Sequence, residues 1–241
     1  MSDKVALVIG AGDATGGAIA RRFAREGYIA VGTRRTADAL EPLVKQIEAE
    51  GGRAVGMGSD ARDEEQVEAL FERIESEIAP VEVLVFNIGA NVFFPITETT
   101  ARVYRKVWEM AAFSGFLTGR EAARRMVPRG RGTIIFTGAT ASMRGAAGFS
   151  AFSGAKFALR ALAQSMAREL GPQGIHVAHT IIDGAIDTEW IKQNFPDRYA
   201  LKDQDGILNP DAIAEAYWQL HVQPRSAWTH ELDLRPWMEK F

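Results

Sequence analysis

The sequence predicts an α/β fold: a doubly wound parallel sheet in a single domain spanning residues 1–241. Two observations carry that prediction. Short, almost uninterrupted apolar runs recur at Val5 to Ile9, Tyr28 to Val31, Ala54 to Met57, Val81 to Phe86, Thr133 to Phe136 and His176 to Ile182. Strands that read apolar throughout are those covered on both faces. Between them lie segments of helical spacing, with Ile19, Phe23 and Ala24, then Leu40, Leu43, Val44 and Ile47, then Val67, Leu70, Phe71 and Ile74. Strand and helix patterns in alternation build parallel βαβ units.

The punctuation agrees with this division. Gly27 and Gly51-Gly52 follow the first two helical patterns as stops, and Asp63 with Gln66 predicts an N-cap with its reciprocal partner. Asn209-Pro210 opens a later helix carrying Ile213, Ala214, Tyr217 and Leu220. The alternation in Thr229 to Arg235 predicts a final strand at or near one edge. No internal repeat, low-complexity segment or linker divides the chain.

Composition narrows the chemistry. With 46% hydrophobic and 24% charged residues over 241 positions, the chain can bury its own core. Cysteine is absent, which excludes disulfides, thiolate chemistry and Cys-based metal clusters. His176, His179, His221 and His230 lack the His-Glu-x-x-His spacing, so no metal site is expected. The net charge of −3, with both signs interleaved, gives no basic stripe for nucleic acid. Met1-Ser2-Asp3-Lys4-Val5 leads into an apolar run too short for a signal peptide, and no run approaches the roughly eighteen residues of a membrane span. A soluble, cytoplasmic protein is the expectation.

The first strand runs into Gly10-Ala11-Gly12-Asp13-Ala14-Thr15-Gly16-Gly17, followed by a helix beginning Ala18-Ile19-Ala20. A glycine-rich turn at this place lets backbone N–H groups approach a pyrophosphate with the positive end of the helix dipole behind them. Strand, turn and helix in this order point to dinucleotide binding. Asp13 must then turn outward, to solvent or to a cation, to avoid repelling the phosphates.

From these residues the chain resembles the short-chain dehydrogenase/reductase family, which implies a Rossmann fold. The family's Thr-Gly-x-x-x-Gly-x-Gly appears as Ile9-Gly10-Ala11-Gly12-Asp13-Ala14-Thr15-Gly16, with Ile9 for threonine and Ala14 for the middle glycine. Asp60, followed by Ala61, matches the adenine-contacting aspartate, and Asn87-Ile88-Gly89 stands for Asn-Ala-Gly after strand four. Gly184-Ala185-Ile186-Asp187-Thr188 looks like the loop that meets the nicotinamide carboxamide. The resemblance thus implies cofactor contacts from Gly10, Gly12, Ala14, Thr15, Gly16, Asp60, Ala61, Asn87, Gly89, Lys156, Gly184, Ile186 and Thr188. At the end of strand two, Arg34 and Arg35 stand where an acid would bind a ribose 2′-hydroxyl. Arginine suits a 2′-phosphate, so NADP is expected over NAD, with Asp38 close enough to complicate the choice.

The family's catalytic Asn, Ser, Tyr and Lys map onto Ala111, Ala139, Phe152 and Lys156, so only the lysine is kept. Hydride transfer to a carbonyl needs a proton donor and a polarising hydrogen bond at oxygen, and phenylalanine supplies neither. Lys156 could still bind the nicotinamide ribose, or, beside Phe152, act as a base with a depressed pKa. Thr140, Ser142, Ser150, Ser153 and Asp183 lie near the vacated positions; the favoured reading is helix capping for the hydroxyls and a turn contact for Asp183, the alternative a replacement donor.

Residues 185–241 are expected to hold substrate-side and oligomer-contact segments, with Trp190, Phe195, Trp218, Trp228 and Trp237 available for a small-molecule pocket or an interface. The helix carrying Lys156 and the tail Arg235 to Phe241 are the candidate contacts of a homodimer or homotetramer. The overall expectation is an atypical, NADP-binding oxidoreductase of weak or altered activity; the alternative is a catalytically silent nucleotide-binding or structural subunit.

Overall fold

The structure is a computed structural model that describes residues 3–240. The readings placed on Met1, Ser2 and Phe241 lie outside the described residues. Seven strands, β1 (Val5–Ile9), β2 (Ile29–Arg34), β3 (Arg53–Gly58), β4 (Val81–Phe86), β5 (Gly132–Thr137), β6 (Ile175–Ile182) and β7 (Glu231–Leu234), form one sheet in the order β3-β2-β1-β4-β5-β6-β7. Every neighbouring pair is parallel. The reversal of strand order beside β1 opens a crevice at the C-terminal ends of β1 and β4, where ligands of open α/β sheets bind.

The helices are α1 (Thr15–Arg25), α2 (Glu41–Ala49), α3 (Glu64–Glu77), α4 (Ala101–Trp108), α5 (Ser114–Met126), α6 (Ser150–Leu170), α7 (Glu189–Asn194), α8 (Pro196–Tyr199) and α9 (Pro210–His221). They cover both faces, which explains the continuous apolar runs. On β1, Val5, Leu7 and Ile9 enter one core with Phe71, Leu117 and Leu159 from α3, α5 and α6. Ala6 and Val8 enter the other with Ile19, Phe23, Ile47 and Tyr217 from α1, α2 and α9. Each large side chain buried this way contributes about 1.5–3 kcal/mol.

The Asp63 cap forms by half. Its carboxylate accepts the Gln66 N–H at 3.2 Å, but the Gln66 amide oxygen accepts from Asp60 N–H at 3.0 Å rather than from Asp63. Gln66 therefore ties α3 to the end of β3. The predicted last strand lies at the sheet edge as β7, shorter than the alternating segment.

Candidate active site

The glycine turn is built between β1 and α1. Gly10 has φ +86°, and a Cβ there would meet Asn87 O at 2.9 Å. Asn87 Nδ2 donates to Gly10 O at 3.1 Å, and a Cβ on Gly16 would lie 2.4 Å from that same oxygen. The turn is thus held tightly from β4, while the Cβ direction of Gly12 is open, with no atom within 4 Å. No side chain caps α1 and no acid stands in its first turn, so its leading N–H groups remain available to an anion. Thr15 Oγ1 is buried there with no hydrogen-bond partner among the described residues. Asp13 turns away as expected, with its side chain 95% exposed and its carboxylate 3.7 Å from Arg34.

Beside the turn, a cleft of about 180 Å³ is lined by Thr33, Arg34, Arg35, Ser59, Asp60 and Ala61, among others. Ser59 Oγ is a second buried hydroxyl without a partner among the described residues. The Asp60 carboxylate is already engaged: Arg62 donates to it from Nε at 2.9 Å and Nη2 at 2.5 Å. That guanidinium holds Asp60 below the usual carboxylate range. Arg34 also donates to Ala39 O at 3.4 Å, and Arg35 is exposed at the mouth.

Ala111, Ala139 and Phe152 come together. Ala111 and Phe152 share one apolar cluster with Val107, Ala141, Ala151 and Ala155, against which Ala139, Ala90 and Val92 pack. Ala111 lies in a π-helical turn, Glu109–Phe113, between α4 and α5, a deviation the sequence pattern did not reveal. Ala90, with φ +139°, is strained backbone at the same cluster. One turn on from Phe152, the buried Lys156 donates from Nζ to Thr137 O at 2.8 Å and Ile88 O at 3.1 Å. Its Nζ lies 5.9 Å from the centre of the Phe152 ring. Burial alone brings its pKa down to about 7.

Of the neighbouring hydroxyls only Ser142 follows the capping reading. Thr140 Oγ1 donates across to Asp183 Oδ1 at 2.5 Å, linking the ends of β5 and β6. Asp183 is buried, with Arg144 at 3.8 Å and Arg235 at 3.7 Å. Ser142 does cap locally, accepting from Ala139 N–H at 3.1 Å. Ser150 and Ser153 begin α6 but cap nothing: no side-chain bond forms at its N-cap, and both buried hydroxyls lack a partner among the described residues.

Residues 4–198 match the family described as short chain dehydrogenase. The chain belongs to the short-chain dehydrogenase family. It is 28% identical over 245 residues to a glycine betaine reductase of Emericella nidulans, covering 98% of this chain and 19% of that protein's length. Among solved structures, a short-chain dehydrogenase from Rhodopseudomonas palustris is 52% identical, with TM-score 0.84 and coverage of 97% of this chain and 99% of that one. A metagenomic short-chain oxidoreductase in complex with NADP is 25% identical, with TM-score 0.84 and 99% coverage of both chains.

Not every residue singled out from the sequence reaches the crevice. Trp218 packs on Phe23 and Tyr28 in the core, and Trp228 stacks on His176 near the start of β6, at the opposite end of the sheet. Trp190 and Phe195 face each other at 5.4 Å in the exposed segment after β6. Trp237 is 76% exposed, with Nε1 donating to Gln204 O at 2.9 Å. Thr188 uses its hydroxyl to cap α7, accepting from Ile191 N–H at 3.1 Å, while Ile186 bridges to Leu208. Gly184, with φ +148°, packs against Pro236, and Gly89 stays open with no atom within 4 Å of a built Cβ. Sequence reasoning missed the buried His179, whose pKa burial lowers to about 4 and whose Nδ1 lies 3.2 Å from Glu231. Arg160 clasps the same Glu231 at 2.7 and 2.6 Å. Among the described residues no group of three His, Asp or Glu side chains is placed to hold a metal ion, and no helix is long and apolar enough to cross a membrane.

Proposed function

We propose that this chain is an NADP(H)-binding oxidoreductase whose hydride transfer to ordinary carbonyls is weak. The single observation that carries the reading is the apolar cluster holding Ala111 and Phe152, with Ala139 packed against it, beside buried Lys156 and next to the glycine turn. A bound nicotinamide dinucleotide supplies or takes up a hydride. Orphaned Thr15 Oγ1 and Ser59 Oγ, the open side of Gly12 and the uncapped α1 all suit such a ligand.

In this reading the backbone from Gly10 through Gly12 and Ala14 to Gly16 holds the pyrophosphate. Arg34 and Arg35 hold a 2′-phosphate, Asp60 and Ala61 border the adenine, and Asn87 and Gly89 shape the crevice floor. Lys156 meets the nicotinamide ribose, and the backbone of Gly184, Ile186 and Thr188 meets the carboxamide. The NADP bound by the metagenomic relative supports the choice of dinucleotide. Loss of a general acid lowers rates about 10²- to 10⁴-fold, so a small-molecule carbonyl is turned over slowly. The exposed aromatics Tyr104, Trp108 and Phe157, with Trp237 in the tail, favour a homodimer or homotetramer. A cytoplasmic location completes the proposal.

Calorimetric titration with NADPH and NADH tests it. NADPH should bind more tightly, and R34A/R35A should weaken NADPH at least about tenfold while changing NADH little. Equal losses for the two would remove the 2′-phosphate assignment, and no binding of either at millimolar concentration would remove the oxidoreductase reading. The competing reading, a silent nucleotide-binding or structural subunit, is favoured by the same apolar cluster; NADPH binding without turnover of any acceptor would select it.

A further inference from the structure

β6 and β7 run parallel with Ile182 beside Leu234, so the segments that leave them start side by side at the C-terminal end of the sheet. Asp183 N–H donates to Leu234 O at 2.8 Å, and Arg235 Nη1 lies 3.7 Å from the Asp183 carboxylate. The chain after β6 then makes a closed excursion. It leaves through residues 184–187 and returns at Leu208, which bridges Ile186, donates its N–H to Ala185 O at 2.8 Å and accepts the Asp187 N–H at 2.8 Å. Between lie α7, α8 and a turn at Lys202–Gln204, and none of the described residues 189–205 is buried. Apolar packing is therefore not what fixes the excursion, and segments with so little burial open readily.

The segment after β7 crosses this excursion and touches it along its length. At the exit, a Cβ on Gly184 would lie 2.8 Å from Pro236 Cδ and 3.5 Å from Glu239 Oε2, so only glycine lets the chain pass this close. In the middle, Glu239 Oε2 lies 3.6 Å from Arg198 Nη1 on α8. At the return, Trp237 Nε1–H donates to Gln204 O at 2.9 Å, and Met238 Sδ lies 3.0 Å from where Gly206 would carry a Cβ. Glu239 N–H donates to Pro236 O at 3.0 Å, closing a turn that carries Trp237 and Glu239 together. The Trp237 ring is largely exposed, so its hold comes from the direction of one N–H and not from burial. Resting on the oxidoreductase reading above, in which the backbone of Gly184, Ile186 and Thr188 meets the carboxamide, we infer that residues 236–239 are a strap that positions that backbone. Trp237 and Glu239 are its positioning residues for the nicotinamide end of the dinucleotide. The strap keeps the excursion competent before the ligand arrives; when only a fraction of molecules is competent, the dissociation constant rises by the inverse of that fraction. The adenosine end, at the glycine turn and at Arg34 and Arg35, is indifferent to the strap.

Calorimetry tests this by comparing NADPH with 2′-phospho-ADP-ribose, which has the same phosphates but no nicotinamide. The readout is the ratio of the two dissociation constants, in which general effects of charge and stability cancel. W237F/E239Q keeps an aromatic ring at 237 but deletes the N–H and the carboxylate charge; it should weaken NADPH about fivefold and leave the fragment unchanged. E239R alone should weaken NADPH relative to the fragment about threefold, and R198E/E239R, which restores an opposite pair, should bring the ratio back to that of the parent. An unchanged ratio in W237F/E239Q, or an E239R defect that the swap leaves in place, would overturn the inference while the oxidoreductase reading stands. Failure of the parent to bind NADPH would remove that reading and the inference with it.

Discussion

Replacing Lys156 by methionine should change how stability depends on pH. In the unfolded chain the amine keeps its proton up to the ordinary 10.5, whereas in the folded protein burial brings the pKa to about 7. Between these values the unfolded state binds the extra proton, so stability rises with pH by about 1.4 kcal/mol per pH unit. The penalty of about 5 kcal/mol is fully present below pH 7 and gone above 10.5. K156M keeps the length of the side chain but cannot titrate. It also leaves Ile88 O and Thr137 O without their donor, at a cost of about 1–3 kcal/mol each that does not vary with pH. The absolute effect of the variant is thus a difference of two opposing terms, but its pH slope is not. From pH 7.5 to 9.5 the parent should gain about 2–3 kcal/mol relative to K156M. Urea unfolding followed by tryptophan fluorescence at pH 7.5, 8.5 and 9.5 reads this directly. Profiles that run parallel would show that Lys156 holds the same charge folded and unfolded, and the reasoning from burial would fail.

Other substitutions separate the parts of the site. G16A places a Cβ 2.4 Å from Gly10 O, so it should lower the melting temperature and abolish NADPH binding together. G12A meets no atom within 4 Å, so thermal unfolding should be unchanged while NADPH weakens about tenfold or more, seen by calorimetry. T140V removes the donor from the buried Asp183 carboxylate and should cost about 1–3 kcal/mol in urea unfolding; no loss would mean that Arg144 and Arg235 satisfy the carboxylate alone. F23A, in the core beside Tyr28 and Trp218, should cost about 3–5 kcal/mol by the same measurement.

Much of the scaffold is legible along the chain because burial on both faces writes itself as uninterrupted apolar strands. The run Val81 to Phe86 coincides with β4, and the switch at Gly10 is readable because only small residues clear Asn87 O there. Phe152 is readable four positions before Lys156, and Ala139 and Ala111 are placed from the end of strand five and from the stretch Trp108 to Ser114; that these are vacated catalytic positions is part of the proposal. What escaped are pairings that local pattern does not encode. Thr140 reaches Asp183 over 43 positions, and Arg160 reaches Glu231 over 71, so neither partner is marked by spacing. Sequence position leaves Trp218 and Trp228 open to a pocket, an interface or the core; α9 carries the first onto α1, and β6 carries the second's partner His176 to the far end of the sheet. The π-turn holding Ala111 is also silent in sequence, because one inserted residue in a helix leaves no compositional trace.

The most direct test of the proposal that this dinucleotide scaffold lacks the family's proton donors is to restore them. A139S/F152Y places a serine and a tyrosine beside Lys156, and its single-turnover reduction of a ketone by bound NADPH is compared with that of the parent. The predicted result is a gain of about 10²- to 10⁴-fold in the hydride-transfer rate with the NADPH dissociation constant unchanged. An equal rate in the folded, NADPH-bound variant would contradict the account.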